Sequence, residues 1–88
     1  MAWTIEYSES ATKSLQKLDR SLAKRVVNYM EQRIAVLPDP RLSGKPLSGA
    51  MKGLWRYRVG DYRIICRIED RQVIILIIDV DHRREVYR

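Results

Sequence analysis

The chain has 88 residues, with 17 Lys or Arg, 11 Asp or Glu and one His, and its formal net charge is +6 at pH 7. This length predicts one small domain over residues 1–88, and one cysteine with one histidine excludes both a disulfide framework and a zinc site built from this chain alone. The sequence shows no leader and no long apolar span, so we expect a cytoplasmic protein without membrane contact.

A strand and a helix are predicted first. Ala2 to Tyr7 (AWTIEY) is rich in β-forming residues, and its odd-numbered residues share one face. Ser8 is the predicted N-cap of a helix that extends to about Leu18. The apolar stripe of this helix is Ala11, Leu15 and Leu18.

A second helix follows after a short break. Asp19 is its predicted cap, and helical spacing of apolar residues continues from about Arg20 to Leu37. The two helices therefore form a predicted helical hairpin. Five Pro or Gly residues then predict a loop, with a short strand near Lys45 to Leu47. The five are Pro38, Pro40, Gly44, Pro46 and Gly49.

The stretch from Leu54 to Ile68 (LWRYRVGDYRIICRI) predicts a β-hairpin. Two alternating runs flank Gly60-Asp61, and glycine accepts the positive φ of a two-residue turn. This turn places Arg58 directly opposite Arg63, although like charges in opposite positions destabilise a sheet. The same face carries four arginines: Arg56, Arg58, Arg63 and Arg67. A solvated face is the simpler interpretation of two arginines, whereas four in a chain of charge +6 favour phosphate binding.

The residues after the hairpin complete a predicted sheet. Glu69 to Gln72 predicts a turn, and Val73 to Val80 (VIILIIDV) is apolar on both faces, which is typical of a central strand covered on both sides. Asp81 to Arg88 predicts a short polar strand or arm. The order β-α-α-β-β-β, with room for an extra edge strand, predicts an α+β fold. The helical hairpin would pack on one face of an antiparallel-rich meander sheet, and the other face would present arginines around an apolar floor that a partner protein could cover.

The element order and two segments, KPLSGAMKGLWRYRVGDYRIICRI and DVDHRREVY, resemble the RelE/ParE superfamily of bacterial toxin–antitoxin toxins. The pattern L-x-G … L/W-R-x-R-x-G-D-Y-R-I/V … H-R-x-x-V-Y is similar to the RelE branch in particular, and the resemblance covers almost the whole chain. It implies a small cytoplasmic toxin that forms a hetero-oligomer with the antitoxin encoded beside it. RelE members cut messenger RNA in the ribosomal A site without a metal, so the resemblance implies an endoribonuclease that needs no cofactor and inhibits translation.

The resemblance also assigns residues to the site. Arg56 and Arg58 match the basic pair of the first hairpin strand, Arg63 matches the arginine of the YR pair, Arg83 the late arginine and Tyr87 the terminal tyrosine. Because arginine stays protonated, Arg56 and Arg58 are poor candidates for removing a proton. We expect these two arginines and Lys52 to bind RNA. Lys45, Lys52 and Arg71 are also explained as solvated charges or as non-specific contacts to ribosomal RNA.

RNA cleavage without a metal needs proton transfer as well as cations. The 2′-hydroxyl must lose its proton, the leaving 5′ oxygen must gain one, and cations must stabilise the charge added at phosphorus. We expect Arg63 and Arg83 on the phosphate and either Tyr87 or His82 as the group that transfers protons. The alternatives are that Tyr87 closes the sheet edge or stacks on a base, and that His82 caps a turn or pairs with Asp79 or Asp81.

Two other functions stay open at this point. ParE members share the fold but poison DNA gyrase, and they lack the RNase residues. RNA cleavage needs a cluster that gyrase binding does not: Arg56, Arg63, Arg83 and Tyr87. A third possibility is a basic nucleic-acid-binding module without catalysis, for which binding to free RNA would depend steeply on salt and ribosomes would not trigger cleavage.

Overall fold

The computed structural model describes residues 2–82, in which two helices pack on one face of a five-stranded sheet. The strands are β1 (Thr4–Tyr7), β2 (Lys45–Pro46), β3 (Trp55–Val59), β4 (Tyr62–Glu69) and β5 (Ile74–His82). Their order in the sheet is β1-β5-β4-β3-β2. The pair β1–β5 is parallel and every other neighbouring pair is antiparallel. The predicted α+β fold is confirmed, and β2 is the extra edge strand.

The helical hairpin consists of α1 (Glu9–Lys17) and α2 (Arg20–Tyr29). Ser8 is the N-cap of α1, as predicted, and its Oγ accepts a hydrogen bond from the Ala11 amide at 3.0 Å. Asp19 occupies the N-cap position of α2, but its side chain forms no capping hydrogen bond. Its carboxylate accepts a hydrogen bond from the Ser21 hydroxyl at 3.1 Å instead.

The end of the second helix differs from the prediction. After α2 the chain continues as a π-helical segment, Met30–Ile34, and does not remain helical to Leu37. The Ala35 carbonyl accepts a hydrogen bond from the Trp3 amide at 2.7 Å, which satisfies a group at the helix end through a tertiary partner. Sequence periodicity contains no information about such a distant partner. No helix within residues 2–82 is long and apolar enough to cross a bilayer.

The core lies between the helices and the sheet. The helices contribute the predicted stripe, of which Val26 and Met30 are fully buried, and the strands contribute one face of each. Cys66 is fully buried in this core, as predicted, and burial raises the pKa of its thiol. The sheet face away from the helices, called the open face below, is partly apolar because Leu76 and Ile78 are only half-buried. The expected complete cover on both sides of β5 is therefore not observed.

The turn before β5 also differs in one residue. Val73 was predicted as the first residue of the strand, but it lies in the turn with φ 55, and β5 begins at Ile74. This left-handed conformation is costly for a β-branched side chain. The Val73 carbonyl accepts a hydrogen bond from the Thr4 amide at 3.0 Å, so the turn is held by the start of β1.

Candidate functional site

The site is built on the hairpin of β3 and β4. Gly60 has φ 58 in its turn, and the register pairs Val59 with Tyr62 and Arg58 with Arg63, as predicted. Side chains of directly opposite residues lie on the same face of an antiparallel pair. Two arginines are therefore neighbours on the open face. Arg58 is exposed, whereas Arg63 is only 4% exposed.

Asp81 of β5 lies beside Arg63, on the side of β4 away from Arg58. β4 pairs with β5 so that Asp81 is opposite Arg63, which gives a row of two cationic residues and one acidic residue across three strands. A buried guanidinium is costly unless charged or polar groups compensate for lost hydration. The position of Asp81 beside Arg63 is not predicted from the sequence. A register shift between Ile65 and Cys66 decides this pairing, and alternation alone cannot reveal such a bulge.

A second row starts at the sheet edge. Lys45 of β2 pairs with Arg56, which pairs with Ile65 of β4. A shallow depression of ≈ 200 Å³ at this edge brings together three cationic side chains. Its lining is Tyr29, Gly44, Lys45, Arg56, Tyr57 and Arg58. From the sequence, Lys45 is explained as a solvated charge or as a non-specific contact to ribosomal RNA. The two-residue strand that aligns it with Arg56 is too short for its register to be predicted from the sequence.

Two of the predicted basic residues lie apart from this cluster. Lys52 is exposed and follows a 3₁₀ turn, Gly49–Met51, so it lies beyond the end of β3 that is farther from Gly60. Three residues of strand, about 10 Å, separate Trp55 from Arg58. Arg67 is exposed, and its Nε lies 3.8 Å from Glu69 Oε1, so it pairs with an acid and not with the other hairpin residues. Arg56, Arg58 and Arg63 are called the hairpin arginines below.

His82 lies on the other side of the sheet. It is opposite Tyr62 at the end of β5, and the two rings contact each other edge to face with centroids 5.1 Å apart. Tyr62 packs against the core, and both rings line a depression of ≈ 370 Å³ with Lys17 and Leu18. The structure therefore does not bring His82 and Arg63 to the same face. The predicted residues Arg83 and Tyr87 lie outside the described residues.

Other ionisable groups near the core are poor candidates for proton transfer. The Tyr57 hydroxyl donates a hydrogen bond to the Pro40 carbonyl at 2.6 Å, and burial raises its pKa above the ordinary value. Burial also raises the pKa of Tyr7, whose hydroxyl donates to Glu31 Oε2 at 2.7 Å. Among residues 2–82, no three His, Cys, Asp or Glu side chains are grouped so that they could hold a metal ion.

The sequence is similar to toxins of bacterial toxin–antitoxin systems. Residues 5–87 match the family described as ParE toxin of type II toxin–antitoxin system, parDE. Toxin RelG of Mycobacterium tuberculosis (strain ATCC 25618 / H37Rv) is 32% identical over 88 residues, which cover 100% of this chain and 99% of that protein. Toxin RelE of the same organism is 31% identical over 84 residues, which cover 96% of this chain and 84% of that protein.

The fold agrees with the sequence relatives. The crystal structure of the toxin–antitoxin complex RelBE2 from Mycobacterium tuberculosis contains a chain that superposes with a TM-score of 0.85 at 30% identity. The match covers 94% of this chain and 93% of that chain. This chain therefore belongs to the RelE/ParE superfamily of toxins of type II toxin–antitoxin systems. Within the superfamily, it is a toxin of the RelE type.

Proposed function

We propose that this toxin is a ribosome-dependent endoribonuclease, which cleaves messenger RNA in the A site without a metal and so inhibits translation in the cytoplasm. The observation that carries the proposal is the pairing of Arg58 directly opposite Arg63, which is only 4% exposed. Like charges in opposite positions destabilise a sheet, and Asp81, which lies opposite Arg63 on β5, can balance only one of the two guanidinium groups. A phosphate between them would compensate for the repulsion, and planar guanidinium groups bind phosphate through paired hydrogen bonds.

The proposed reaction is an internal attack on the RNA backbone. The 2′ oxygen forms a bond to the adjacent phosphorus, and the bond from phosphorus to the 5′ oxygen breaks. Arg63, with Arg83 from the end of the chain, would stabilise the charge that accumulates on the phosphoryl oxygens. Arg56 and Arg58 would position the RNA along β3, and Lys45 lies with them at the same edge of the sheet. Lys52 would contact RNA only farther along the strand, given its place beyond β3.

The position of His82 in the sheet bears on which residue transfers protons. The reaction needs one group to accept the 2′ proton and one to protonate the leaving oxygen. His82 and Tyr87 are the two candidates from the sequence. His82 contacts Tyr62 on the helix side of the sheet, whereas Arg63 belongs to the open face, so we favour Tyr87 as the group that accepts the 2′ proton. Water then supplies the proton to the leaving 5′ oxygen. A tyrosine can act near neutral pH when neighbouring cations lower its pKa, and the proposal requires the arginines of the site to do this for Tyr87.

The first test is cleavage of a message on programmed ribosomes, with the 5′ ends mapped by primer extension. Protein treated with EDTA and then freed of it before the assay is the control for metal dependence. We expect wild-type protein to cut within the A-site codon. Arg63→Lys should lower the cleavage rate by about 10²–10³-fold, which is the usual cost of removing one group that stabilises transition-state charge. Arg58→Ala should also lower the cleavage rate, because it removes a group that positions the RNA beside Arg63. Arg58 is exposed, so its variant keeps the test valid if the buried Arg63 position does not tolerate change.

Matched variants separate the roles. Arg67→Ala removes an exposed arginine from the same face of β4 and should leave cleavage unchanged, because Arg67 pairs with Glu69 away from the cluster. Tyr87→Phe should abolish cleavage, and His82→Asn should retain it. If His82→Asn abolishes cleavage and Tyr87→Phe does not, His82 is the group that transfers the proton. A folded wild-type protein that leaves messages intact on ribosomes would contradict the proposal.

The family description also supports a second candidate function. Because the matched family is that of ParE toxins, inhibition of DNA gyrase without nuclease activity is the alternative. It requires no cluster of arginines around a phosphate, so Arg58→Ala should leave it unchanged. A gyrase supercoiling assay with wild-type protein and Arg58→Ala distinguishes the two functions.

An antitoxin is the expected protein partner. The RelBE2 structure is that of a toxin–antitoxin complex, and this chain covers 93% of the chain it matches there. The open face combines half-buried apolar residues of β5, Leu76 and Ile78, with the hairpin arginines. We propose that the antitoxin covers this face with apolar and acidic side chains and forms a hetero-oligomer with the toxin.

A further inference from the structure

A second basic groove lies between α2 and the hairpin turn. Its volume is ≈ 410 Å³, and Val59 of β3 belongs to its floor. The other lining residues come from α2 and the π-helical segment: Arg25, Asn28, Tyr29, Gln32 and Arg33. The two arginines are eight residues apart, which is about 12 Å along a helix. Neither of them forms a salt bridge with another residue of the described range 2–82.

The groove adjoins the depression beside the hairpin arginines, because Tyr29 lines both of them. Arg56 and Arg58 line the depression, and Arg25 and Arg33 line the groove. The turn connects them as well. Nη2 of Arg25 lies 3.9 Å from the point that a Cβ on Gly60 would occupy, so the guanidinium lies against the turn between β3 and β4. Cationic side chains thus continue from the open face around the edge of β3 to α2.

We infer that this groove binds the phosphodiester backbone of RNA and thereby extends the proposed cleavage site by a second contact region. The inference rests on the proposed function in one respect, namely that RNA is the ligand of the hairpin arginines. Guanidinium groups match phosphate geometry, and an aromatic side chain between cationic ones is typical of surfaces that bind single strands by stacking. The amides of Asn28 and Gln32 add donors and acceptors for phosphate oxygens or base edges. An acidic protein segment would find little apolar surface there beyond Tyr29 and Val59.

The test measures equilibrium binding, so it does not depend on cleavage. Fluorescence anisotropy would use RNAs of 4 and 12 nucleotides with 2′-O-methyl groups, which cannot be cleaved by 2′ attack. The variant Arg25→Gln/Arg33→Gln is compared with Arg20→Gln/Lys24→Gln, which removes the same charge from exposed positions of α2 that do not line the groove. Thermal melting of each protein confirms that it is folded.

We expect the groove variant to bind the 12-nucleotide RNA about 10-fold more weakly than wild type. The slope of log K against log salt should fall by about 1.4, because each lost phosphate contact on a single strand changes it by about 0.7. The control variant should change affinity less than about 2-fold, since scattered surface charge acts only at long range. The 4-nucleotide RNA offers fewer phosphates to the two regions, so the difference between the two variants should be smaller for it than for the 12-nucleotide RNA.

Two further binding assays distinguish the possible ligands of the groove. Sedimentation with ribosomes that carry no message tests binding to ribosomal RNA, whereas the free oligonucleotide represents the message. Weaker binding of the groove variant than of the control variant in either assay supports the inference. Equal affinities of both variants in both assays would overturn it. A selective loss of poly-glutamate binding without any loss of RNA binding would overturn it in favour of an acidic protein partner. A protein that binds RNA through the groove but cuts no message would refute only the proposed function.

Discussion

Gly44 determines how closely the edge strand β2 approaches β3. Its φ is 78, and a Cβ at this position would lie 2.8 Å from the Arg56 carbonyl oxygen and 2.7 Å from the Tyr57 ring. Backbone and a buried ring cannot move aside as a flexible side chain can. This close contact places Lys45 opposite Arg56, so the glycine contributes to the geometry of the basic edge.

Gly44→Ala should destabilise the protein more than Gly49→Ala. Both glycines have positive φ, but a Cβ at Gly49 would meet no atom within 4 Å. Alanine at position 49 should lower the free energy of unfolding only by the cost of the left-handed conformation, about 1–2 kcal/mol. The alanine at 44 adds overpacking, about 1–3 kcal/mol more. Urea denaturation of both variants measures the difference, and equal losses would show that β2 has room to move.

The N-terminus of α1 depends on one side chain that joins a helix to a strand. Ser8 Oγ accepts a hydrogen bond from the Ala11 amide and donates one to the Ile78 carbonyl at 2.6 Å. Ser14 on the same helix donates to Asp79 Oδ1 at 3.1 Å. These bonds fix α1 over β5 at the bulged part of the strand, close to the residues that determine the position of Asp81.

Ser8→Ala should lower the free energy of unfolding by about 1–2 kcal/mol, since it removes an N-cap and leaves the Ile78 carbonyl without its donor. Ser21→Ala is the matched control. That hydroxyl donates to Asp19, whose side chain caps nothing, so we expect a change within about 0.5 kcal/mol. Chemical denaturation gives both values. Similar effects of the two changes would contradict the role of the Ser8 hydrogen bonds.

Arg41 connects parts of the molecule that are distant in the sequence. It lies in a 3₁₀ turn after the helices, Pro40–Leu42, and its guanidinium donates to both carboxylate oxygens of Asp70 in the β4–β5 turn at 3.0 and 2.7 Å. Asp39 accepts a further bond from Arg41 at 3.2 Å. The hydrogen bond from Arg41 lowers the pKa of Asp70 below its ordinary value. The connection holds the loop against the end of the sheet opposite to Gly60.

Asp70→Asn should reduce stability at neutral pH and have a smaller effect in acid. A carboxyl group whose pKa is lower in the folded state stabilises the protein above its unfolded pKa, near 3.9, and this contribution is lost as the pH falls through the folded pKa. The difference between the urea midpoints of wild type and variant should therefore be largest at neutral pH and should begin to shrink as the pH falls below about 3.9. Asp61→Asn, an exposed acid without a salt bridge in residues 2–82, should show no such convergence. A difference that does not shrink between neutral pH and acid would argue against the ion pair.

The candidate site could be predicted where short-range geometry controls it. The opposition of Arg58 and Arg63 follows from a two-residue turn at Gly60, because the turn sets the register of the strands it joins. The place of Lys45 beside Arg56 and of Asp81 beside Arg63 could not be predicted in this way. The first depends on the close approach at Gly44, and the second depends on a bulge in a pairing between strands that a longer turn connects.

The sequence by itself determined the order of the elements, the helix cap at Ser8, the buried stripe of α2 and the arginines that face each other in the hairpin. All of these depend on alternation, helical spacing or a turn, which act over a few residues. The tertiary structure alone decided that β1 lies beside β5, that the second helix ends at a π-helical segment and that His82 lies across the sheet from Arg63. These features depend on contacts between residues far apart in the chain, whose partners are selected by packing and by the hydrogen bonds that each buried backbone group must find.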